Sequence, residues 1–266
     1  MPNPIAHPAA AIPFTRLGLV FSALVIGSIS PDFGYLVLHF SYFDSFLTPF
    51  FMNTVWGLIF FDVPVGLVLL WFFHTLMKWP LLSLLPEGLQ RRLFKHAQGF
   101  SLGPNRHFGM VLMSLLVGSS THVIWDSFTH GSGWTVQHFT LLSTSIYGVA
   151  LYRVLQNLGT LLGIMVLIYW TIKWLRTAPQ SDQLAWQFPA QVRKVFFALI
   201  ITALAITEGV IMYPRVLTGS RLFGAHFLMD SIIVLPVLIM SFSVGTYCVA
   251  WMVAFNRNIG SSNITK

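Results

Sequence analysis

Charge is what this sequence has least of. Only 9% of its 266 residues are charged, whereas soluble globular domains carry roughly 25%. So few charges cannot cover a water-facing surface, and the composition therefore excludes an ordinary soluble domain. Hydrophobic residues make up 55% of the chain, which is typical of a protein whose main solvent is a lipid bilayer.

Cysteine is almost absent as well. The single one, Cys248, lies inside an apolar segment, so neither an intramolecular disulfide nor a thiolate metal cluster is available. A bound metal ion would therefore have to use His, Asp, Glu and water as ligands. No internal repeat or low-complexity tract is visible, and the sequence predicts a single transmembrane domain over residues 1–266.

Five stretches with little or no charge are long enough to cross a hydrocarbon core as helices, which takes about 20 apolar residues. They do not alternate as barrel strands do, and a helix satisfies its own backbone polar groups in lipid. The predicted fold is therefore all-α, a polytopic membrane helical bundle. The predicted spans are Val55–Met77, Phe108–Trp125, Val154–Ile172, Val195–Pro214 and Ser231–Phe255.

The first thirty residues fit three interpretations. Their apolar stretch, Leu17–Ile29, has only 13 residues and ends in a small-x-small sequence, so a cleaved signal is one alternative and a full span is another. A helical hairpin is favoured, because Pro8 suits a first helical turn, Arg16-Leu17-Gly18 suits a turn, and Pro31 would end the second helix. The prediction is five full spans plus an N-terminal hairpin, or six spans.

Basic residues are distributed unequally between the two sides of these spans. Twelve of the fifteen Lys and Arg residues fall on the side that also holds the C-terminal tail, and the positive-inside rule places that side in the cytoplasm. The asymmetry accounts for the net charge of +7 without a nucleic acid, so membrane lipids are the predicted partners. The polar residues that then fall near the outer ends of their helices are Asp32, Asp62, His122, Asp126 and His130.

His122, Asp126 and His130 form a His-x3-Asp-x3-His pattern at the end of a predicted span. Residues four apart lie one helical turn apart on the same face, so His122 and Asp126 can hold one ion together. On a straight helix His130 lies about 12 Å from His122. Either Asp126 bridges two ions and His130 binds the second, or Gly131 ends the helix and His130 swings inward. The alternative to a metal site is a hydrogen-bonded intramembrane pair.

Two residues upstream are candidates to join this pair. Asp32 lies where the second helix of the hairpin is expected to end, and His7 precedes a helix start. A hairpin brings both toward the outer end of the span that carries His122. The predicted metal ligands are therefore His7, Asp32, His122, Asp126 and His130.

Four sequence blocks resemble a bacterial membrane family described only as a domain of unknown function, number 4184. That family is distantly similar to membrane-bound metal-dependent hydrolases, which in turn resemble zinc phospholipase C and S1/P1-type nucleases. The resemblance implies a site for one or two divalent ions, zinc being favoured, on a helix that presents His122 and Asp126. The blocks, all within roughly the first 160 residues, are Ala6–Ala10, Ser22–Phe33, Pro80–Pro86 and Thr121–His130.

One position departs from the pattern of that family. Relatives often carry His-Thr or His-Ser before the second span, where this chain has Asn53-Thr54. Asparagine is a poor zinc ligand. The departure predicts that one ion is absent, weakly held or differently ligated. Asn53 and Arg153 are the predicted substrate-binding residues, and Arg153 is expected to pair with the phosphate.

Together these features predict a metal-dependent hydrolase of the phosphoesterase type, with Asp32 and Asp126 as catalytic residues. Its substrate would be a lipid-borne phosphate at the extracytoplasmic face of a bacterial cytoplasmic (inner) membrane, and its C-terminus would be cytoplasmic. The alternative is a non-catalytic transport or scaffold protein that uses the same His/Asp cluster as an ion or proton site. The polar residues cluster near one face, and this favours a site over a path.

Overall fold

The computed structural model describes residues 4–40, 54–98, 105–218 and 235–264. For 34–40, 105–106, 208–218, 235–238 and 258–264 the description covers the backbone alone. Asn53, predicted to bind substrate, lies outside the described residues.

The described chain is almost entirely helical, which confirms the all-α prediction. A two-stranded antiparallel hairpin, β1 (Ser145–Ile146) with β2 (Val149–Ala150), is the strand structure in these ranges. Short 3-10 turns cover Pro4–Ala6 and Ile12–Leu17. The helices are α1 (Pro8–Ala11), α2 (Phe21–Phe40), α3 (Val55–Leu84), α4 (Glu87–Gln98), α5 (Asn105–Thr129), α6 (Trp134–His138), α7 (Thr140–Ser143), α8 (Leu151–Thr177), α9 (Ala190–Thr218) and α10 (Leu235–Ile264).

Five helical segments among the described residues are long and apolar enough to cross a membrane. Each overlaps one of the five predicted spans, and the chain is therefore a multi-pass membrane protein. The segments are Val55–Leu84, His107–His138, Leu151–Thr177, Ala190–Thr207 and Ile239–Arg257.

The N-terminal segment turns back on itself, as the hairpin interpretation predicts. Gly18 ends the second 3-10 turn with a φ of +74°, a left-handed conformation that glycine adopts without strain. Helix α2 then begins at Phe21 and runs for 20 residues to Phe40. On the other side of the turn, α1 packs against α2, α5 and α8.

The prediction that Pro31 ends the second helix of the hairpin is wrong, because α2 continues through this residue. Proline has no N–H to donate to the carbonyl of Gly27, four residues earlier. The hydroxyls of Ser119 (3.0 Å) and Ser30 (2.9 Å) donate to that carbonyl instead. Since the freed carbonyl is satisfied, the helix passes the proline, and Asp32 lies within a helix rather than in a loop.

Helices α2 and α5 cross with their backbones in contact. A Cβ atom added to Gly118 would overlap the carbonyl oxygen of Leu24, and one added to Gly27 would overlap that of Leu115. Because His122 follows Gly118 by about one turn, this crossing holds the imidazole close to α2. The apolar core beside the crossing consists of Ala23, Leu70, Val111 and Leu115.

The chain divides into two compact units, Met1–Phe73 with Phe100–Ala178, and His74–Gly99 with Pro179–Lys266. All five predicted metal ligands fall in the first unit. The prediction of one transmembrane domain over the whole chain stays a prediction.

The second unit has a core of its own. The rings of Phe188, Trp251 and Phe255 pack against the indole of Trp186. The Trp186 carbonyl oxygen also accepts a hydrogen bond of 2.9 Å from Trp251 Nε1. The single cysteine, Cys248, is buried in this unit. The buried apolar residues that pack together here are Leu82, Phe94, Ala97 and Ala185.

Candidate metal centre

Helix α5 presents His122 and Asp126 on one face, as their spacing predicts. His122 Nε2 lies 3.2 Å from Asp126 Oδ2, and His7 Nε2 lies 3.7 Å from Asp126 Oδ1. The imidazole rings of His7 and His122 stack, with centroids 3.8 Å apart and 19° between their planes. These three buried residues each bring a ligand atom within 4.8 Å of the others. This His/His/Asp group can hold a metal ion.

Asp32 and His130 complete the cluster. Asp32 Oδ1 lies 3.7 Å from His122 Nε2, and His130 Nδ1 lies 3.4 Å from Asp126 Oδ2. Helix α5 ends at Thr129, and the backbone N–H of His130 still donates to the carbonyl of Asp126, one turn earlier, at 3.0 Å. The contact of its ring with Asp126 is compatible with both arrangements that the sequence left open for His130.

One histidine of the cluster is oriented by a hydrogen bond and another is neutral. His122 Nδ1 lies 2.8 Å from the carbonyl oxygen of Ser28. A carbonyl only accepts, so Nδ1 carries a proton and Nε2 is the nitrogen that faces the carboxylates of Asp126 and Asp32. Metal-binding histidines typically make this second hydrogen bond. For His7, burial and then the neighbouring His122 lower the pKa to about 3, so this ring is neutral.

The spacing of these groups suits metal coordination. Zinc bonds of about 2.0–2.1 Å give a tetrahedron whose edges are about 3.3 Å, and the contacts in the cluster range from 3.2 to 3.7 Å. Buried polar atoms without partners are energetically unfavourable, and a divalent cation would satisfy them. Within the described ranges, the atoms of the cluster without a hydrogen-bond partner are His7 Nε2, Asp32 Oδ2, His122 Nε2, Asp126 Oδ1 and both ring nitrogens of His130.

Asp62 also belongs to these surroundings, although the sequence analysis did not include it in the site. It is fully buried in α3, and both its carboxylate oxygens lack a hydrogen-bond partner in the part of the chain that the structure describes. The turn Leu58–Asp62 that it closes packs against α2 and α5, the helices that carry Asp32 and His122. The sequence signal was the acidic residue in an otherwise uncharged span, because such a residue is a functional candidate by default.

Arg153 lies in the first turn of α8 and is exposed. Its Nε donates to the Tyr152 hydroxyl at 3.3 Å. It shares a polar pocket of about 470 Å³ with His130, so a cationic side chain lies next to the cluster. The other residues that line this pocket are Thr129, Gly131, Tyr152, Gln156 and Asn157.

A second pocket, of about 170 Å³, reaches His7 and is otherwise lined by apolar side chains and glycine. This pocket is also lined by α8, but by later turns of that helix, between Gly159 and Val166. Helix α8 therefore offers polar groups at its start and an apolar surface further along. The lining residues besides His7 are Ala6, Ala9, Ala10, Trp125, Gly159, Leu162, Gly163 and Val166.

Comparisons with known proteins identify a family. No curated protein and no solved structure matches the chain. A family model does match, that of a domain of unknown function, DUF4184, over residues 1–254. The match includes every residue of the His/Asp cluster and nearly the whole chain, and it confirms the resemblance found in the sequence. The protein therefore belongs to the DUF4184 family.

Proposed function

We propose that this protein is a metal-dependent hydrolase of the phosphoesterase type that acts on a lipid-borne phosphate. The observation that carries the proposal is the buried cluster of His7, Asp32, His122, Asp126 and His130, whose ligand atoms are spaced for a cation. Ionisable groups at membrane depth are unfavourable unless a function retains them.

In this proposal His7, His122 and Asp126 hold the ion, and nitrogen and oxygen ligands of this kind suit zinc. A bound zinc ion supplies a Lewis acid and lowers the pKa of a coordinated water to about 7. Asp32 orients the attacking water, because its Oδ2 is buried and has no hydrogen-bond partner among the described residues. Asp32 would accept the water proton while the water oxygen attacks phosphorus and the bond to the leaving oxygen breaks.

The two pockets support a lipid-borne substrate. Arg153 in the polar pocket offers planar N–H groups to a phosphate. The apolar pocket beside His7 is lined by α8 residues such as Leu162 and Val166, and it suits an acyl or prenyl chain. Since both pockets adjoin the cluster and share α8, one amphiphilic molecule would place its phosphate near His130 and its chain near His7.

The polar cluster is confined to one level of the first unit, which favours a site over a transport path. On α5, the residues Val111 and Leu115 that precede the cluster lie in an apolar core with Ala23 and Leu70. A proton or cation path needs polar groups that continue across the bilayer. An apolar core beside the cluster at the contact of α2, α3 and α5 therefore supports a site rather than a path.

The proposal also includes the side of the membrane on which the metal cluster lies. Twelve of the fifteen basic residues lie on the side opposite to the predicted outer ends of the helices, and cytoplasmic loops are the ones rich in Lys and Arg. We assign the cluster to the extracytoplasmic face of a bacterial cytoplasmic membrane, with the C-terminus in the cytoplasm.

The test is hydrolysis of vesicle lipids by the full-length protein. We expect protein reconstituted in phosphatidylcholine vesicles that contain phosphatidic acid to release phosphate or a phosphorylated headgroup when zinc is supplied, and to stop after chelation. Arg153→Ala should raise KM for the lipid about tenfold or more, because a charge-assisted hydrogen bond contributes about 1.5–3 kcal/mol. Its zinc content should remain that of the wild type.

Lys173→Ala is the matched control, because Lys173 is an exposed cation at the other end of α8. It should leave KM unchanged. Zinc-loaded wild type that hydrolyses neither lipid faster than chelated protein would contradict the proposal, and so would equal effects of the two α8 variants on KM.

A further inference from the structure

Residues 130–150 connect α5 to α8 and contain no Lys, Arg, Asp or Glu. Because α5 and α8 are consecutive spans, their connection lies at one face of the membrane, and His130 places it at the face of the His/Asp cluster. Connections in contact with water are normally polar. Here large apolar side chains are exposed instead, namely those of Trp134, Phe139, Leu141, Ile146, Tyr147 and Val149.

Tyr147 lies at the tip of the hairpin formed by β1 and β2. Ile146 pairs with Val149, so Tyr147 and Gly148 form a two-residue loop, and both have a positive φ, 50° and 81°. Such a turn favours Asn-Gly or Gly-Gly, because a bulky side chain is unfavourable at positive φ. Tyr147 is 103% exposed, so packing within the described chain does not compensate. The ring is therefore directed toward the surroundings of the protein.

Two opposing requirements fix the depth of this connection in the membrane. Its exposed apolar side chains favour lipid over water. Both β1 and β2 are edge strands of a two-stranded sheet, and their outward backbone groups need hydrogen-bond partners, which the hydrocarbon core does not supply. The headgroup region meets both requirements, because it offers water and phosphate oxygens next to acyl chains. Trp and Tyr are enriched in this region.

The exposed apolar surface of the connection continues onto the two spans that it joins. Ile124 and Phe128 of α5 are exposed, and so are Leu158 and Leu161 of α8. In helices that span a bilayer, exposed side chains of this kind contact lipid. A docking site for another protein typically has a polar rim around its apolar centre, whereas this surface has no charged residue between the two spans. Lipid is therefore the partner that fits it.

We infer that residues 130–150 anchor this face of the protein in the headgroup region of the bilayer, with Trp134 and Tyr147 inserted toward the acyl chains. This lipid contact is independent of the proposed hydrolysis. His130 begins the connection and Arg153 follows it closely, and both line the polar pocket. The mouth of that pocket therefore lies at the level of the lipid phosphates.

The test is the depth of a spin label at the hairpin tip. In a Cys248→Ser background, Tyr147→Cys is labelled with a nitroxide, and the full-length protein is reconstituted in phosphatidylcholine vesicles without metal or phosphate substrate. Power saturation compares collisions of the label with oxygen, which concentrates in lipid, and with a charged nickel chelate that is present on both sides of the membrane. We expect an oxygen-to-nickel ratio about tenfold or more above that of a label at Asp182→Cys, because hydrocarbon excludes the charged chelate.

Asp182→Cys is the matched control, because Asp182 is exposed in the polar connection between α8 and α9. Its label should collide mainly with the nickel chelate. A Tyr147→Cys label that also collides mainly with the chelate would place the tip in water and overturn the inference. A label shielded from both reagents would place the tip under another protein and overturn it as well.

A second measurement needs no variant. Hydroxyl radicals generated in the water around vesicles that contain the wild-type protein oxidise the side chains that water reaches, and peptide mass spectrometry locates them. Tyr147 should be oxidised several-fold more slowly in vesicles than after removal of lipid and unfolding. Equal oxidation in the two states would contradict the anchor. Slow oxidation in a protein that hydrolyses no lipid would support the anchor and count only against the proposed function.

Discussion

Replacing His122 by alanine is expected to weaken zinc binding by about a hundredfold or more. His122 Nε2 lies near carboxylate oxygens of both Asp126 and Asp32, and the bond from Nδ1 to the Ser28 carbonyl oxygen directs the ring. Loss of an outer-shell partner alone typically reduces metal affinity 10- to 100-fold, so loss of a direct ligand should have at least that effect. Competition of the purified protein with a zinc-sensitive dye measures it.

The matched control is His138→Ala. His138 is exposed, and its Nδ1 contacts the Trp134 carbonyl oxygen of its own helix at 2.7 Å. This variant should bind zinc as the wild type does. Zinc should also raise the melting temperature of the wild type, since a ligand at a thousand times its Kd stabilises by about 4 kcal/mol. Equal zinc affinities of the His122 and His138 variants would refute the assignment of His122.

Replacing Gly118 by alanine is expected to destabilise the fold by about 3 kcal/mol or more. The added Cβ would overlap the carbonyl oxygen of Leu24 and would lie 2.9 Å from the backbone nitrogen of Ser28. Because both neighbours are backbone atoms, α2 and α5 would have to move apart, and overpacking of this kind costs about 1–3 kcal/mol or more. Reversible unfolding in detergent micelles measures the free energy of unfolding.

Gly109 provides a control on the same helix. A Cβ at this position meets nothing within 4 Å, so Gly109→Ala should be neutral or stabilising by up to about 1 kcal/mol, the difference in helix propensity. The two substitutions should therefore have opposite signs. Gly118→Ala should also weaken zinc binding, because separation of the helices moves Ser28 away from His122. Equal stability of the two variants would show that the helices do not meet as closely as described.

The membrane spans could be predicted because the thickness of the bilayer fixes the length of an apolar helix. Spans such as Val55–Met77 and Val154–Ile172 could therefore be predicted without any knowledge of how the helices pack. The proximity of His122 and Asp126 could also be predicted, because residues four apart share a helical face whatever the helix packs against.

Other features depended on contacts between distant parts of the chain. Pro31 normally ends a helix, but Ser119 of α5 donates to the Gly27 carbonyl that the proline leaves free, and nothing near Pro31 in sequence indicates this. The burial of Asp62 depends on how its turn of α3 packs against α2 and α5. The role of His130 could not be decided from the sequence, because this residue lies where α5 ends and helix ends are less certain than helices.

The central claim, that the cluster binds a metal, is tested most directly by zinc X-ray absorption spectroscopy of the loaded wild-type protein. The structure predicts a first shell of nitrogen and oxygen only, at about 2.0–2.2 Å, with outer-shell scattering from imidazole. The single cysteine, Cys248, lies in the other compact unit, so sulfur should not contribute. A sulfur shell at about 2.3 Å, or zinc surrounded by oxygen without imidazole scattering, would contradict the account.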